Sequence, residues 1–484
     1  MSAAAIQRVA VVGGGISGLA AAYRLRELAR ERRLPVEVTL FERAARAGGC
    51  VETVTRDGFT METGAETLLA EKPAIADLLR RLGLEGELVP TRPEFKGSRV
   101  LRRGRLVPLP PGVQLFAPSS PVALATSGLF SLRGLVRMAF EPFVPVRRDA
   151  EDESLAAFVT RRLGREVLER LAQPLIGGIY SSDPERLSMQ ATLPRFLEME
   201  RGSGSLVRAL AGSGGARRTA ALMGLRGGLG ALVERLVREL AGAVKVDCGV
   251  LALQRHCRSG GERSWSLALS DGSTAAFDAV VCAAPLHESA RLLRTVQPEL
   301  SELLGTIVYN SIATVNLAFD EGAAPALPRS YGVVVPFAEG RRITALTIVS
   351  QKYPGRAPAG TVLLRAFIGG ALQAHLLDAD DEGLVQIARD EVRALLGVTA
   401  APRVTLVRRW THRLPEYALG HLERVARIER ETAALPNFAL AGAALHGVGV
   451  PDCVHSGERA AEETLDALFR EAPVAERPAA GGVI

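Results

Sequence analysis

Six residues near the N-terminus, Gly13-Gly14-Gly15-Ile16-Ser17-Gly18, have the types and spacing to hold a phosphate. The first glycine permits a sharp turn, the third lets backbone approach a diphosphate, and the last lets a helix pack close to the preceding strand. A diphosphate placed there faces a helix N-terminus, where free N–H groups and the helix dipole favour negative charge. Glu42 follows 24 residues after Gly18, at the end of an apolar run, where a carboxylate can accept hydrogen bonds from a ribose. A lone glycine motif is weak evidence, so its setting decides.

That setting is consistent. Arg8 to Val12 reads as a buried strand, Ser17 to Arg30 has helical periodicity, and Val36 to Phe41 reads as a second strand after Pro35. Together they make a β-α-β unit that binds a dinucleotide. A second glycine pair, Gly48-Gly49, then follows Glu42, Arg43 and Arg46. This pattern resembles the amine-oxidase-like flavoproteins and favours FAD over NAD. Glu62-Thr63-Gly64 is a further backbone approach to the cofactor. Near the other end, Ala441 to Cys453 contains Gly442, Gly449 and Val450 at a strand-to-helix transition, with a helix expected from Gly457 onward.

The bulk properties bound the rest. A chain of 484 residues predicts two or three domains, and 47% hydrophobic with 23% charged residues is ordinary for a globular protein. A net charge of +6 suits an anionic ligand or membrane surface, but no dense basic stripe points to nucleic acid. Five scattered cysteines without a C-x-x-C pair suggest neither disulfides nor a metal site, and predict a reducing, cytoplasmic setting. No apolar run approaches the length needed to span a membrane, and no Ser-His-Asp set is evident. Strand-like runs are expected at Val244 to Leu253, Trp265 to Leu269, Ala279 to Ala284, Ala313 to Phe319, Gly332 to Pro336, Ile343 to Val349, Val362 to Ile368 and Val404 to Trp410. Helix is expected near 381–396 and through much of 151–210, with a Gly/Ser connection at 202–215.

Several separated stretches carry a more specific likeness: Pro174 to Tyr180 with Asp183 and Leu187-Ser188-Met189; Ala357 to Gly360 with Leu363 to Ala366; Arg409-Trp410 with Pro415-Glu416-Tyr417 and Gly420-His421; and Gly447 to Cys453. In order and spacing the chain resembles the porphyrinogen oxidases of haem synthesis over nearly its full length. Gly104 to Gly112 and Thr126 to Ser131 look more like the coproporphyrinogen III oxidases. Protoporphyrinogen IX oxidases usually carry an Arg followed by an aromatic residue near position 98, whereas this chain has Ser98-Arg99 before Val100. Protoporphyrinogen IX remains the alternative substrate, and an amine or carotenoid oxidoreductase a more distant one.

The resemblance implies an α/β fold: a Rossmann-type FAD domain (1–72, 222–288, 431–484), a mixed-sheet substrate domain (289–430 with part of 73–90) and an inserted helical domain (91–221). It implies a porphyrinogen substrate, oxygen as acceptor, six electrons removed in three flavin cycles, and hydrogen peroxide as by-product. It adds Val250 and Trp410 to the cofactor set. Gly178 and Ile179 become candidates for the macrocycle wall, and Lys72 and Arg99 for its propionates. His446 is a candidate for a direct chemical role, although no general base is assigned. The basic, Pro-interrupted segment from Arg92 to Arg148, with Phe116, Phe130, Phe140 and Phe143, corresponds to the family's membrane-associating region. A monomer or homodimer, peripheral on the inner face of the cell membrane, fits this picture.

Overall fold

The computed structural model describes residues 5–110, 113–118, 121–149, 151–212, 221–257 and 263–469. Pro111 and Gly112 of the stretch Gly104 to Gly112, and residues 213–215 of the expected Gly/Ser connection, lie outside these.

The first unit forms as strand Gln7–Val12, helix Ile16–Arg32 and strand Val36–Phe41. Five parallel strands then lie in the order Val244–Lys245, Val36–Phe41, Gln7–Val12, Ala279–Cys282 and Phe438–Leu440. Successive side chains point to opposite faces of a strand. Val9 and Val11 therefore enter a core with Leu19, Leu232 and Val454, while Ala10 and Val12 enter another with Trp265 and Leu286. Layers on both faces explain why these strands read as continuous apolar runs.

Two differences from the sequence expectation concern where the chain turns. Val244 to Leu253 is not one strand. Val244–Lys245 joins the parallel sheet, then Asp247, at φ 51°, turns the chain into Val250–Cys257 of an antiparallel sheet with Arg263–Leu269 and Thr274–Phe277. The last helix runs Val450–Leu468, starting before Gly457, because Pro451 sits in its first turn where a missing N–H leaves no bond unmade. Gly457 is instead where this helix crosses the first one: a Cβ there would stand 2.1 Å from the Ser17 carbonyl oxygen.

A seven-stranded mixed sheet has the order Val404–Pro415, Tyr309–Asp320, Thr361–Gly369, Ala345–Ile348, Gly332–Val334, Ser98–Arg102, Arg105–Pro108. Ala313, Val315 and Leu317 pack under helix Asp381–Leu396, whose N-terminus is capped by Asp380. The alternate residues Thr314 and Asn316, with Arg365, Arg408 and Trp410, reach the segment Glu52–Gly64 of the nucleotide layer. Helices Leu286–Leu293 and Pro298–Gly305, inside or bordering the span expected for the substrate domain, pack their apolar faces on the parallel sheet.

The helical layer closes around Phe116, Phe130, Phe158, Phe196 and Leu171. Its helix Gln173–Tyr180 continues from a π-helical turn, Leu168–Ala172. Pro174 has no N–H to give the preceding turn, and the wider turn accommodates its ring. That break aims the helix carrying Gly178.

Candidate functional site

The N-terminal glycines make a cradle in which backbone replaces side chains. Gly13 takes φ 103° and a Cβ would meet the Ala283 backbone at 3.0 Å. A Cβ on Gly18 would lie 1.9 Å from the Gly13 carbonyl oxygen, so the helix can close on the strand end only as glycine. Gly15 differs: a Cβ would meet nothing within 4 Å, which leaves room beside the helix N-terminus. Ile16 and Ser17 are buried in the first turn.

Glu42 accepts the Gly14 N–H at 2.7 Å and the Ala44 N–H at 2.8 Å, one on each oxygen. Those bonds fix the carboxylate and leave lone pairs for a ribose. The second glycine pair docks on the first: the Gly48 N–H donates to the Gly14 carbonyl at 2.7 Å, and a Cβ on Gly49 would meet the Gly15 Cα at 3.2 Å. Gly48 and Gly49 take φ 110° and 56°. Arg46 donates to the Gly49 carbonyl and pairs with Glu52 at 2.9 Å, while half-exposed Arg43 pairs with Glu288 at 2.7 Å. Val250 is buried at the start of its strand.

Gly64 marks where the sheets meet. A Cβ there would lie 2.1 Å from the Cys50 carbonyl oxygen and 3.4 Å from the Trp410 ring. The Trp410 indole and the Thr314 hydroxyl both donate to the Thr63 carbonyl at 2.7 Å. Two buried carboxylates brace this seam. Burial pushes Glu62 up to about 7, against the Thr53 hydroxyl and Arg356. Burial also opposes the charge on Glu66, but Arg365 and Lys352 outweigh it and hold the carboxyl at about 2.

From the C-terminal side, Gly442 takes φ 139° with open space beside it, and Val450 shares a core with Ile16. Gly447 and Gly449 are crowded by the Asp452 carboxylate, which a Cβ would approach to 2.5 and 2.7 Å at Gly447 and 3.0 Å at Gly449. The dinucleotide candidates at 13–18, 42–49, 64, 410 and 442–450 therefore line one continuous region. Gly15 and Gly442 leave open space in it, which suits FAD.

The substrate candidates divide. Gly178 and Ile179 are exposed on their helix, Ile179 by 47%, and a Cβ on Gly178 would meet nothing within 4 Å. Helix packing does not require that glycine. Tyr180 beside them is pushed up to about 12 by burial and by Asp452, which places Asp452 near this helix. Lys72 is not a free cation: its Nζ pairs with Asp452 at 2.5 Å, joining it to the same corner. Arg99 stands on strand Ser98–Arg102 opposite Val333, half-buried and without an ion-pair partner among the described residues. The 3-10 turn Phe337–Glu339, which follows the neighbouring strand, reaches helix Gln173–Tyr180 through the Phe337 N–H donating to Gln173 at 3.0 Å. Phe337 is 49% exposed, an apolar group that no sequence pattern singled out. His446 pairs with Glu429 at 2.7 Å on the surface. Among the described residues no cluster of His, Cys, Asp or Glu could hold a metal ion.

Residues 16–465 match the family of flavin-containing amine oxidoreductases. The chain is 34% identical over 472 residues to a coproporphyrinogen III oxidase of Bacillus subtilis, covering 96% of this chain and 99% of the relative. It is 28% identical to protoporphyrinogen oxidase 2 of Arabidopsis thaliana, covering 96% and 94%. A crystal structure bearing the name protoporphyrinogen oxidase, from Exiguobacterium sp. 255-15, superposes with a TM-score of 0.85 at 31% identity, covering 95% of this chain and 99% of that one. The cradle, the seam and these likenesses agree on a flavin enzyme with FAD as its cofactor. The chain belongs to the flavin-containing amine oxidoreductases, among the porphyrinogen oxidases.

Proposed function

We propose that this enzyme oxidises coproporphyrinogen III to coproporphyrin III, passing electrons to oxygen and releasing hydrogen peroxide in three two-electron rounds. The observation that carries the reading is the open apolar ground at Gly178 and Ile179, beside a dinucleotide cradle, in a chain similar end to end to a coproporphyrinogen III oxidase. Bound FAD supplies the redox chemistry, accepting hydride equivalents and returning electrons to oxygen.

The chain's own groups bind, orient and keep water out. Gly13, Gly14, Gly15 and Gly18, with Gly48 and Gly49, take the diphosphate, Glu42 the ribose, and Arg43, Arg46 and Val250 flank them. Gly64, Trp410, Gly442, Gly449 and Val450 face the redox-active end. Ile179 forms an apolar wall, Gly178 lets the macrocycle approach backbone, and Lys72 and Arg99 attract propionates. Burial pushes Cys50 up to about 11 and Tyr180 up to about 12, so both keep their protons at neutral pH. Neither serves as a base at that pH. In this reading the chemistry lies between a discontinuous FAD domain and a substrate domain, with an inserted helical domain alongside.

Aerobic porphyrin fluorescence with coproporphyrinogen III and protoporphyrinogen IX side by side tests the reading. A clear preference for the coproporphyrinogen is expected, and faster turnover of protoporphyrinogen IX would overturn it in favour of the second substrate.

A peripheral membrane contact is supported by one surface. Leu132 and Val136, four apart on helix Leu132–Ala139, are exposed together with Phe140 and Phe143, and exposed Arg133 and Arg148 flank them. Phe116 and Phe130, expected in the same role, are core residues instead. No helix among the described residues is long and apolar enough to cross a membrane.

A further inference from the structure

Tyr417 and His421 are stacked at 3.9 Å with planes 15° apart, and both are buried. They stand between strand Val404–Pro415 and helix His421–Ala433, on the flank of the loop that leads into Val450. The Tyr417 hydroxyl donates to the Ala443 carbonyl at 2.7 Å. His421 Nε2 lies 3.2 Å from the Leu445 carbonyl. A carbonyl only accepts, so Nε2 carries the proton. Burial pushes the imidazole down to about 4, which keeps it neutral near neutral pH.

The two contacts act on alternate peptides of one short loop. In a trans peptide the C=O and the following N–H point in opposite directions, and no cis bond occurs here. Holding the Ala443 and Leu445 carbonyls therefore turns the N–H groups of Ala444 and His446 away from the ring pair. Tyr417 is also tied to the substrate side. Its ring lies 5.9 Å from Tyr180, next to Ile179, and its carbonyl accepts the Ser188 N–H at 2.8 Å.

We propose that Tyr417 and His421 are positioning residues, a stacked pair that fixes loop 441–449 against the cofactor and registers it to the helix Gln173–Tyr180. This rests on the reading of that loop as cofactor-facing. Without the pair, FAD would meet a loop free to rotate its peptides, and affinity and redox poise would both move.

The test uses holoenzyme and the flavin itself. Tyr417→Phe keeps the stacked ring and removes only the hydroxyl. His421→Ala removes the donor to Leu445, and His421→Gln returns an N–H near the same point. FAD dissociation constants should rise roughly three- to tenfold in Tyr417→Phe and His421→Ala. The flavin absorption bands and midpoint potential should shift with them, and His421→Gln should recover most of the change. Asp380→Ala, which uncaps the distant helix Asp381–Leu396, serves as the control: it lowers stability and leaves the flavin unchanged. Flavin affinity, spectrum and potential in Tyr417→Phe indistinguishable from that control would overturn the proposal, whether or not the His421 variants fold. None of these readouts involves a porphyrinogen, so failure of the wild type to oxidise coproporphyrinogen III would count against the substrate alone.

Discussion

Gly18 and Gly64 of the cofactor cradle and the glycines of helix Gln173–Tyr180 are the same residue kept for opposite reasons. At Gly18 and Gly64 a methyl group would collide with backbone at 1.9 and 2.1 Å, so the fold itself excludes every other side chain. At Gly178 a methyl would touch nothing, and at Gly177 only the end of Gln173 at 3.6 Å. Glycine also weakens a helix interior, by about 1 kcal/mol relative to alanine. A glycine that packing does not need, in a helix that would be firmer without it, points to something outside the chain that uses the space. The first region is defined by what it contains, the second by what it leaves open.

The sharpest way to break the contrast is to add the same methyl to both. Gly18→Ala should yield protein that purifies without FAD, with stability lowered by roughly 4 kcal/mol or more, read by flavin absorbance and thermal midpoint. Gly178→Ala should retain FAD and melt at or slightly above the wild-type temperature. A Gly18→Ala enzyme that stays yellow would show that the cradle is softer than its geometry.

The next effect lies at the seam between the regions, where two carboxylates titrate in opposite senses. Glu66 is depressed from 4.5 to about 2, so the unfolded chain binds more protons between those values and stability is lost as pH falls through them. Glu62 is raised from 4.5 to about 7, so the folded chain binds more protons there and stability falls as pH rises through that window. Each limb is on the order of 3 kcal/mol. Thermal midpoints measured across pH should show Glu62→Gln flattening the limb above pH 4.5 and Glu66→Gln the acid limb. Unaltered slopes in both variants would mean that the seam does not control acid or alkaline stability.

Smaller effects probe the open region alone. Gly178→Leu fills the space with side chain and should lower kcat/KM for coproporphyrinogen III by about 10- to 100-fold while FAD content is retained, a loss read in steady-state fluorescence. Normal turnover in Gly178→Leu would remove the helix from the substrate site. Replacing exposed Phe143 with Ser should change stability by less than about 0.5 kcal/mol. Vesicle co-sedimentation should detect weaker binding to anionic lipid, and unchanged binding would remove this surface from the membrane reading.

What could be read in advance follows from the range of the forces involved. The loop Gly13–Gly18, Glu42 and Gly48-Gly49 are legible because each is a local backbone demand written in neighbouring residues. The break at Asp247 is less so: Asp247 and Gly249 interrupt the run 244–253, but nothing local says that its two parts join different sheets. Phe116 and Phe140 are the same residue type in one segment, yet one is buried and the other 59% exposed. Sequence pattern cannot separate them in a stretch with no sustained period. Lys72 and Asp452 are 380 residues apart, and His446 finds Glu429 only once the helices are laid side by side. Phe337 carries no motif at all, and the open Gly178 takes its meaning from such remote neighbours.

The crossing of Gly457 over Ser17 has a consequence for how the enzyme is made. One wall of the cradle, at Ser17, is translated 440 positions before its opposite wall at Gly457, so a chain emerging from the ribosome cannot close the site until residue 457 has been exported. Flavin capture thereby waits for that later wall, and a bound cofactor certifies that the two distant segments have met.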